Sequence, residues 1–114
     1  MNLDSLIAKY PSEREAIARL ARVLGSGEHK EYTLNRLSEL VHPNSVESLA
    51  GALGELVRSG ELKLVVRVIS PSTLGGIKDF RSLEEVPHVV RDWRSDADIE
   101  VKPQDLRLVY VTEL

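Results

Sequence analysis

The sequence predicts an α+β fold: a three-helix core followed by an antiparallel β-hairpin with a long connection. Three observations lead there. Apolar residues recur at helical spacing over residues 12–24, 33–41 and 45–59. The period then changes to two over residues 61–69, where Leu62, Leu64, Val66 and Val68 alternate with Lys63, Val65, Arg67 and Ile69 and β-branched residues accumulate. The same alternation returns over residues 106–112, which supplies an antiparallel partner. A chain of 114 residues, 42% of them hydrophobic, can build one core. The expected organisation is one domain over residues 1–114, with the helical core at 12–60 and the hairpin at 61–114, including an insertion at 71–105.

Each element has its own local reason. Leu3, Leu6 and Ile7 give residues 2–9 one or two helical turns, which end near Tyr10 and Pro11. In residues 12–24, Ser12 and Glu15 form an expected capping box, each side chain satisfying a free amide at the helix start. Ile17, Leu20, Ala21 and Leu24 make the buried stripe, with Ala16 and Val23 beside it, and Gly25 suits a left-handed terminator. Residues 26–32 read as a polar connection. Thr33 caps the next helix, whose buried side is Leu34, Leu37, Leu40 and Val41, and His42-Pro43 stops it because a residue before proline avoids the helical region. Asn44 or Ser45 caps the last helix, which buries Val46, Leu49, Ala50, Leu53, Leu56 and Val57 and ends at Gly60.

Residues 71–105 are too many for a structureless loop in a small domain. Gly75-Gly76 reads as a hairpin tip or hinge. Ser82 heads a helical turn halted by Pro87. Residues 99–101 read as a short strand and 102–105 as a turn. Trp93, the single tryptophan, is expected to join Phe80, Val86, Val89 and Val90 over the strand face that the helices leave uncovered. The other reading of Trp93 is an exposed anchor, since tryptophan is enriched in binding hot spots.

The order helix, helix, three-residue turn, helix, strand, long hairpin, strand resembles the winged helix-turn-helix superfamily. The residues that carry the resemblance are 33–41 for the second helix, His42-Pro43-Asn44 for the turn, and 45–60 for the third helix, which leads through Gly60 and Leu62 into the wing. The insertion at 71–105 would make an elongated wing. The resemblance implies a binding module, and a DNA-binding transcription regulator first.

The residues themselves leave the ligand open. In DNA-binding members of the superfamily the third helix enters the major groove. Opposite its apolar stripe this chain offers Asn44, Ser45, Glu47, Ser48, Gly51, Ala52, Glu55 and Arg58. Base readers are normally arginine, lysine, asparagine or glutamine, and carboxylates repel phosphate. Lys30, Arg36, Lys63, Arg67 and Lys78, with Asn44, Ser45 and Ser48, form the candidate surface for double-stranded DNA. Glu28, Glu31, Glu39, Asp79, Glu84 and Glu85 are interspersed with these bases. Glu47, Gly51, Ala52, Glu55 and Trp93 are the candidate surface for a protein partner or a second copy. The formal charge of −3 gives no overall basic excess for nucleic acid, and 4% aromatic residues leave little base-stacking surface.

Chemistry is not expected. The chain has no cysteine, so it offers no disulfide, thiolate site or cysteine nucleophile. His29, His42 and His88 lack metal-ligand spacing. Asp92, Asp96, Asp98 and Glu100 lack the glycine and terminal glutamate of a calcium loop and read as a solvated charged loop. No lysine-serine pair follows Gly75-Gly76, and no serine sits in a nucleophile elbow. The expectation is a non-enzymatic protein without cofactor or metal. No apolar run approaches a membrane span and residues 1–10 do not read as a signal peptide, so the expected location is cytoplasmic.

Overall fold

A computed structural model describes residues 2–25 and 29–112. The chain is α+β. Among the described residues there are four α-helices, a four-stranded antiparallel sheet and a two-stranded one. The helices are α1 (Leu3–Lys9), α2 (Arg14–Leu24), α3 (Leu34–Val41) and α4 (Val46–Arg58). The strands are β1 (Glu31–Thr33), β2 (Lys63–Ile69), β3 (Gly76–Phe80), β4 (Val89–Asp92), β5 (Ala97–Glu100) and β6 (Leu106–Val111). The larger sheet has the order β1-β6-β2-β3 and the smaller one pairs β4 with β5. The chain forms two compact units: Met1–Lys63 with Tyr110–Leu114, and Leu64–Val109. No described helix is long and apolar enough to cross a membrane.

The helical unit is built on the stripes read from the sequence. Ile17 and Leu20 of α2, Leu37 and Val41 of α3, and Leu49, Leu53 and Leu56 of α4 are all buried. Thr33 caps α3 by accepting the Arg36 N–H at 3.2 Å, and Ser45 caps α4 by accepting the Ser48 N–H at 3.2 Å. His42 ends α3 in a left-handed conformation, φ 50°, directly before Pro43. After α4, Gly60 adopts φ 82° and the Glu61 N–H turns back to the Leu56 carbonyl at 2.9 Å. This is the glycine-dependent helix ending that the sequence predicts.

The start of α2 departs from expectation. No capping box forms between Ser12 and Glu15. Residues Pro11–Glu13 form a 3-10 turn and α2 begins at Arg14 without a side-chain cap. The reason lies in Glu13, which is 2% exposed. Its carboxylate Oε1 accepts the Asn44 backbone N–H at 2.8 Å, while Asn44 Nδ2 donates to the Ser12 carbonyl at 2.5 Å. The bend between α3 and α4 is thereby tied to the beginning of α2. Arg19 adds a second tie, its Nε donating to the Val41 carbonyl at 2.7 Å. Gly25 is also not left-handed. It keeps φ −83° with its N–H on the Ala21 carbonyl, and a Cβ there would sit 2.7 Å from that oxygen. Residues 26–28 of the polar connection lie outside the described residues; its later part forms β1. Lys30 N–H donates to Thr112 Oγ1 at 2.8 Å and Thr112 N–H to the Lys30 carbonyl at 2.9 Å, so the residue after β6 closes this unit.

Residues 71–105 are not one extended connection. β2 turns back directly into β3, with Arg67 opposite Asp79 and a shift of register between Val68 and Ile69. β4 and β5 then form their own hairpin, and β6 returns beside β2. As predicted, residues 61–69 and 106–112 supply neighbouring antiparallel strands. β2 lies between two strands, and Val65, Val66, Val68 and Ile69 are all buried, which accounts for apolar residues at both phases of its alternation.

Glu13→Ala removes the acceptor for the Asn44 amide. It is expected to lower unfolding free energy by about 1–3 kcal/mol, the usual cost of deleting a charged hydrogen-bond partner, as read by urea denaturation. A second outcome concerns α1. Lys9 Nζ lies 3.1 Å from Glu55 Oε1 of α4. The Glu55 carboxyl is held below the usual carboxylate range by Lys9 and then by Arg58. A depressed folded-state pKa stabilises above the unfolded value, near ~4.3, and that contribution is lost as pH falls through the lower folded value. Glu55→Gln is therefore expected to flatten this part of the acid limb in melts run from neutral pH downward.

Candidate functional site

The residues expected to meet DNA are placed as follows. Asn44 is consumed by Ser12 and Glu13. Ser45 Oγ accepts from the Ser48 amide and donates to Glu47 Oε2 at 2.9 Å. The Glu47 carboxyl is held low by its own backbone amide and then by the Ser45 hydroxyl. Arg36 donates to Glu39 at 3.3 Å. Arg67 makes a two-point pair with Asp79, at 2.7 and 2.9 Å. Lys78 Nζ stands 5.4 Å from the Phe80 ring centroid. Lys30 is bound through its backbone to Thr112, and Lys63 opens β2 on the exposed side. Lys30, Arg36 and Lys63 belong to the helical unit, whereas Arg67 and Lys78 belong to the strand unit.

The small-residue side of α4 is not the open surface that its sequence implies. Ala52 is 1% exposed. A Cβ on Gly51 would meet the Tyr10 hydroxyl at 2.5 Å, and Glu55 is paired with Lys9 and Arg58. Residues from the end of α1 thus already occupy the Gly51–Glu55 side of α4. Gly51 is small because Tyr10 needs the space. Glu47 stays exposed, and Val46, 46% exposed, leads the outward side of the helix.

Trp93 is the clearest departure. Of the two readings, the buried one fails: the side chain is 81% exposed at the turn between β4 and β5. Val90 of the expected cluster is buried, Phe80 and Val86 are half-buried, and Val89 is 52% exposed. The register pairs Val89 with Glu100 and Arg91 with Asp98. Directly paired residues project to one side of a two-stranded sheet, so Val89, Arg91, Asp98 and Glu100 share a face. Val90 and Asp92, one residue out of phase, are buried.

The turn holds its tryptophan in place. The Arg91 guanidinium lies 5.5 Å from the Trp93 ring centroid. Arg91 is itself bonded to Asp96 and, at 3.2 Å, to Asp98. Asp96 adopts φ 56°, a left-handed position that aspartate tolerates better than most residues. Buried Asp92 accepts the Arg94 N–H at 3.1 Å and closes the turn. The stretch expected to be a solvated acidic loop therefore builds a hairpin end, with one buried carboxylate and two engaged by arginine. Val89, Arg91, Asp96 and Asp98 were not singled out as site residues. The signal was the period-two spacing of Val89, Arg91 and Trp93 ahead of a serine-aspartate turn.

Both units carry recesses among the described residues. Glu13, Arg19, His42 and Asn44 line a polar recess of about 330 Å³ beside the α3–α4 bend. Ile69, Leu74, Ile99, Asp98, Glu100 and Arg107 line one of about 490 Å³ in the strand unit. No group of three or more histidine, aspartate or glutamate side chains is arranged to hold a metal among the described residues. Comparisons with protein-family models, with curated proteins and with solved structures give no match.

Trp93→Ala is expected to change unfolding free energy by no more than about 0.5 kcal/mol, as for other exposed substitutions, while removing all tryptophan emission. In the wild type that emission is expected to be quenched by iodide nearly as readily as a free tryptophan peptide.

Proposed function

We propose that this chain is a non-enzymatic protein-interaction module on a winged helix-turn-helix frame, docking through the end of the β4–β5 hairpin. The winged-helix reading draws on the order α2, α3, bend, α4, β2 and on the return of β6 beside β2. The docking reading rests on one observation: a tryptophan 81% exposed, yet stacked against an arginine that two aspartates hold. Exposed indole is costly in water, and tryptophan and arginine dominate binding hot spots. A side chain already fixed in position loses less conformational entropy when a partner covers it.

Duplex DNA is the second reading, favoured by the helix-turn-helix order. Its candidate contacts start from a weaker position. Asn44 and Ser45 are bonded within the chain, Arg36 and Arg67 are paired with carboxylates, and the Gly51–Glu55 side of α4 meets Tyr10 and Lys9. A phosphate would have to displace an existing partner at each arginine.

Parallel affinity capture with wild type and Trp93→Ala distinguishes the readings. A partner held by wild type is expected to bind the variant at least about tenfold more weakly, a typical hot-spot loss. A mixed-sequence duplex at about 50 mM salt, where phosphate attraction is strong, is expected to leave anisotropy unchanged. Tight duplex binding that Trp93→Ala does not weaken would replace the docking reading with the DNA one.

A further inference from the structure

The turn between β2 and β3 holds a leucine where the backbone favours glycine. Leu74 adopts φ 62°, a left-handed conformation that is an outlier for a bulky side chain and that glycine takes freely. Burial does not account for the leucine, because its side chain is 68% exposed. The turn around it is firmly built on Ser70, which is 2% exposed. The Ser70 carbonyl accepts the Leu74 N–H at 2.8 Å, its hydroxyl accepts the Thr73 N–H at 3.3 Å, and its own N–H donates to the Gly75 carbonyl at 2.8 Å. Backbone strain that the surrounding bonds enforce, with the side chain left in water, points to a residue kept for contact outside the chain.

This turn meets the end of the β4–β5 hairpin inside the strand unit. Arg94 Nη1 lies 3.1 Å from the position a Cβ on Gly75 would take, so the guanidinium rests against the residue that follows Leu74. Arg94 itself follows Trp93. Trp93 and Leu74, the two most exposed large apolar side chains among the described residues, are thus each one residue from the same contact. Arg94 is exposed and has no ion pair among the described residues. The carboxylates of the hairpin are committed elsewhere. Asp96 and Asp98 are held by Arg91, and buried Asp92 accepts the Arg94 backbone N–H. Glu100 lies at the far end of the hairpin, in the recess that Lys102 and Arg107 also line. We infer that the two turns form one docking surface with two apolar anchors, Trp93 and Leu74, and that Arg94 takes a carboxylate from a partner protein's segment in which an aspartate or glutamate stands among apolar side chains. A guanidinium grips a carboxylate through two parallel N–H bonds. That grip sets the register of the segment while its apolar side chains cover the two anchors. The inference rests on the hairpin being the docking site and adds a second anchor and the chemistry of what docks.

Trp93, as the sole tryptophan, reads the event directly. The full chain is titrated with three peptides of equal length, in which leucine alternates with glutamate, glutamine or lysine, while its emission is followed. The glutamate peptide is expected to give a saturable change several-fold tighter than the glutamine peptide, and the lysine peptide none. Arg94→Gln should bring the glutamate peptide down to the level of the glutamine one. Leu74→Gly should weaken both several-fold while leaving the melting temperature unchanged or raising it, since glycine relieves the left-handed strain. That combination separates a contact residue from a structural one. Equal binding of the glutamate and glutamine peptides, no saturable response, or full binding by Leu74→Gly would overturn the inference. A melting temperature several degrees lower in Leu74→Gly would overturn it too, because the leucine would then serve the fold. So would a concentration-dependent emission change without peptide, the occupant then being a second copy. A captured partner that is lost on Trp93→Ala but kept in full by Leu74→Gly and Arg94→Gln would retain the hairpin site and reject this inference. A partner captured equally by Trp93→Ala would reject the site itself.

Discussion

The helical unit depends on how the bend between α3 and α4 is held. Pro43 guarantees a break in the helix but does not set its direction. Direction comes from Glu13, whose buried carboxylate accepts the first amide beyond Pro43, and from Arg19, which donates to the last carbonyl of α3. Glu13 stands at the start of α2 and Arg19 near its middle, so three helices are referred to one short segment of chain. The carboxylate does this at a cost, because its Oε2 is buried without a hydrogen-bond partner. A neutral cap at Ser12 would avoid that cost but would leave the bend untethered. A carboxylate bonding to an amide is stronger than a hydroxyl doing so, which is why the longer-range bond displaces the local capping box.

The same economy governs the surface. Polar side chains on α4 and β2 that read as open to a ligand are largely committed within the chain. Arg67 faces Asp79 because antiparallel register puts them opposite, and Ser45 serves its own helix. Gly51 and Ala52 are small to admit neighbours that belong to this protein. At the hairpin end the pattern reverses. There, arginine and aspartate hold an apolar ring in water instead of neutralising one another at a distance from it.

Much of the architecture was legible from period and punctuation. Helical stripes, the Thr33 and Ser45 caps, the stop at Pro43 and the change of period after Gly60 are all local, and local signals survive in a single sequence. What failed required long-range knowledge. Nothing near Glu13 announces that Asn44 will compete for it, and nothing near Gly51 announces Tyr10. β3 was hidden because Lys78 and Asp79 interrupt its apolar alternation; its stability comes from pairing with β2. The reading of Trp93 as a cover for the strand face rests on apolar residues at both phases of the strands, and its alternative is an exposed anchor. Its register relative to Val90 decides the matter: Val90 faces inward, so the neighbouring phase faces out. The candidate site was legible only as a choice between two fates for one residue.

The pairing of Lys30 with Thr112 joins positions 82 apart in the chain. Residues 64–109 therefore stand as an insertion within a unit whose first part is made long before its last strand. During synthesis the helices leave the ribosome with the β1 edge still waiting for β6. Contacts of such separation slow folding, because a long stretch of chain must be ordered before they form. The hairpins, whose contacts are local, have no such delay. Within this chain, the unit entered first is closed only after the inserted one has been made.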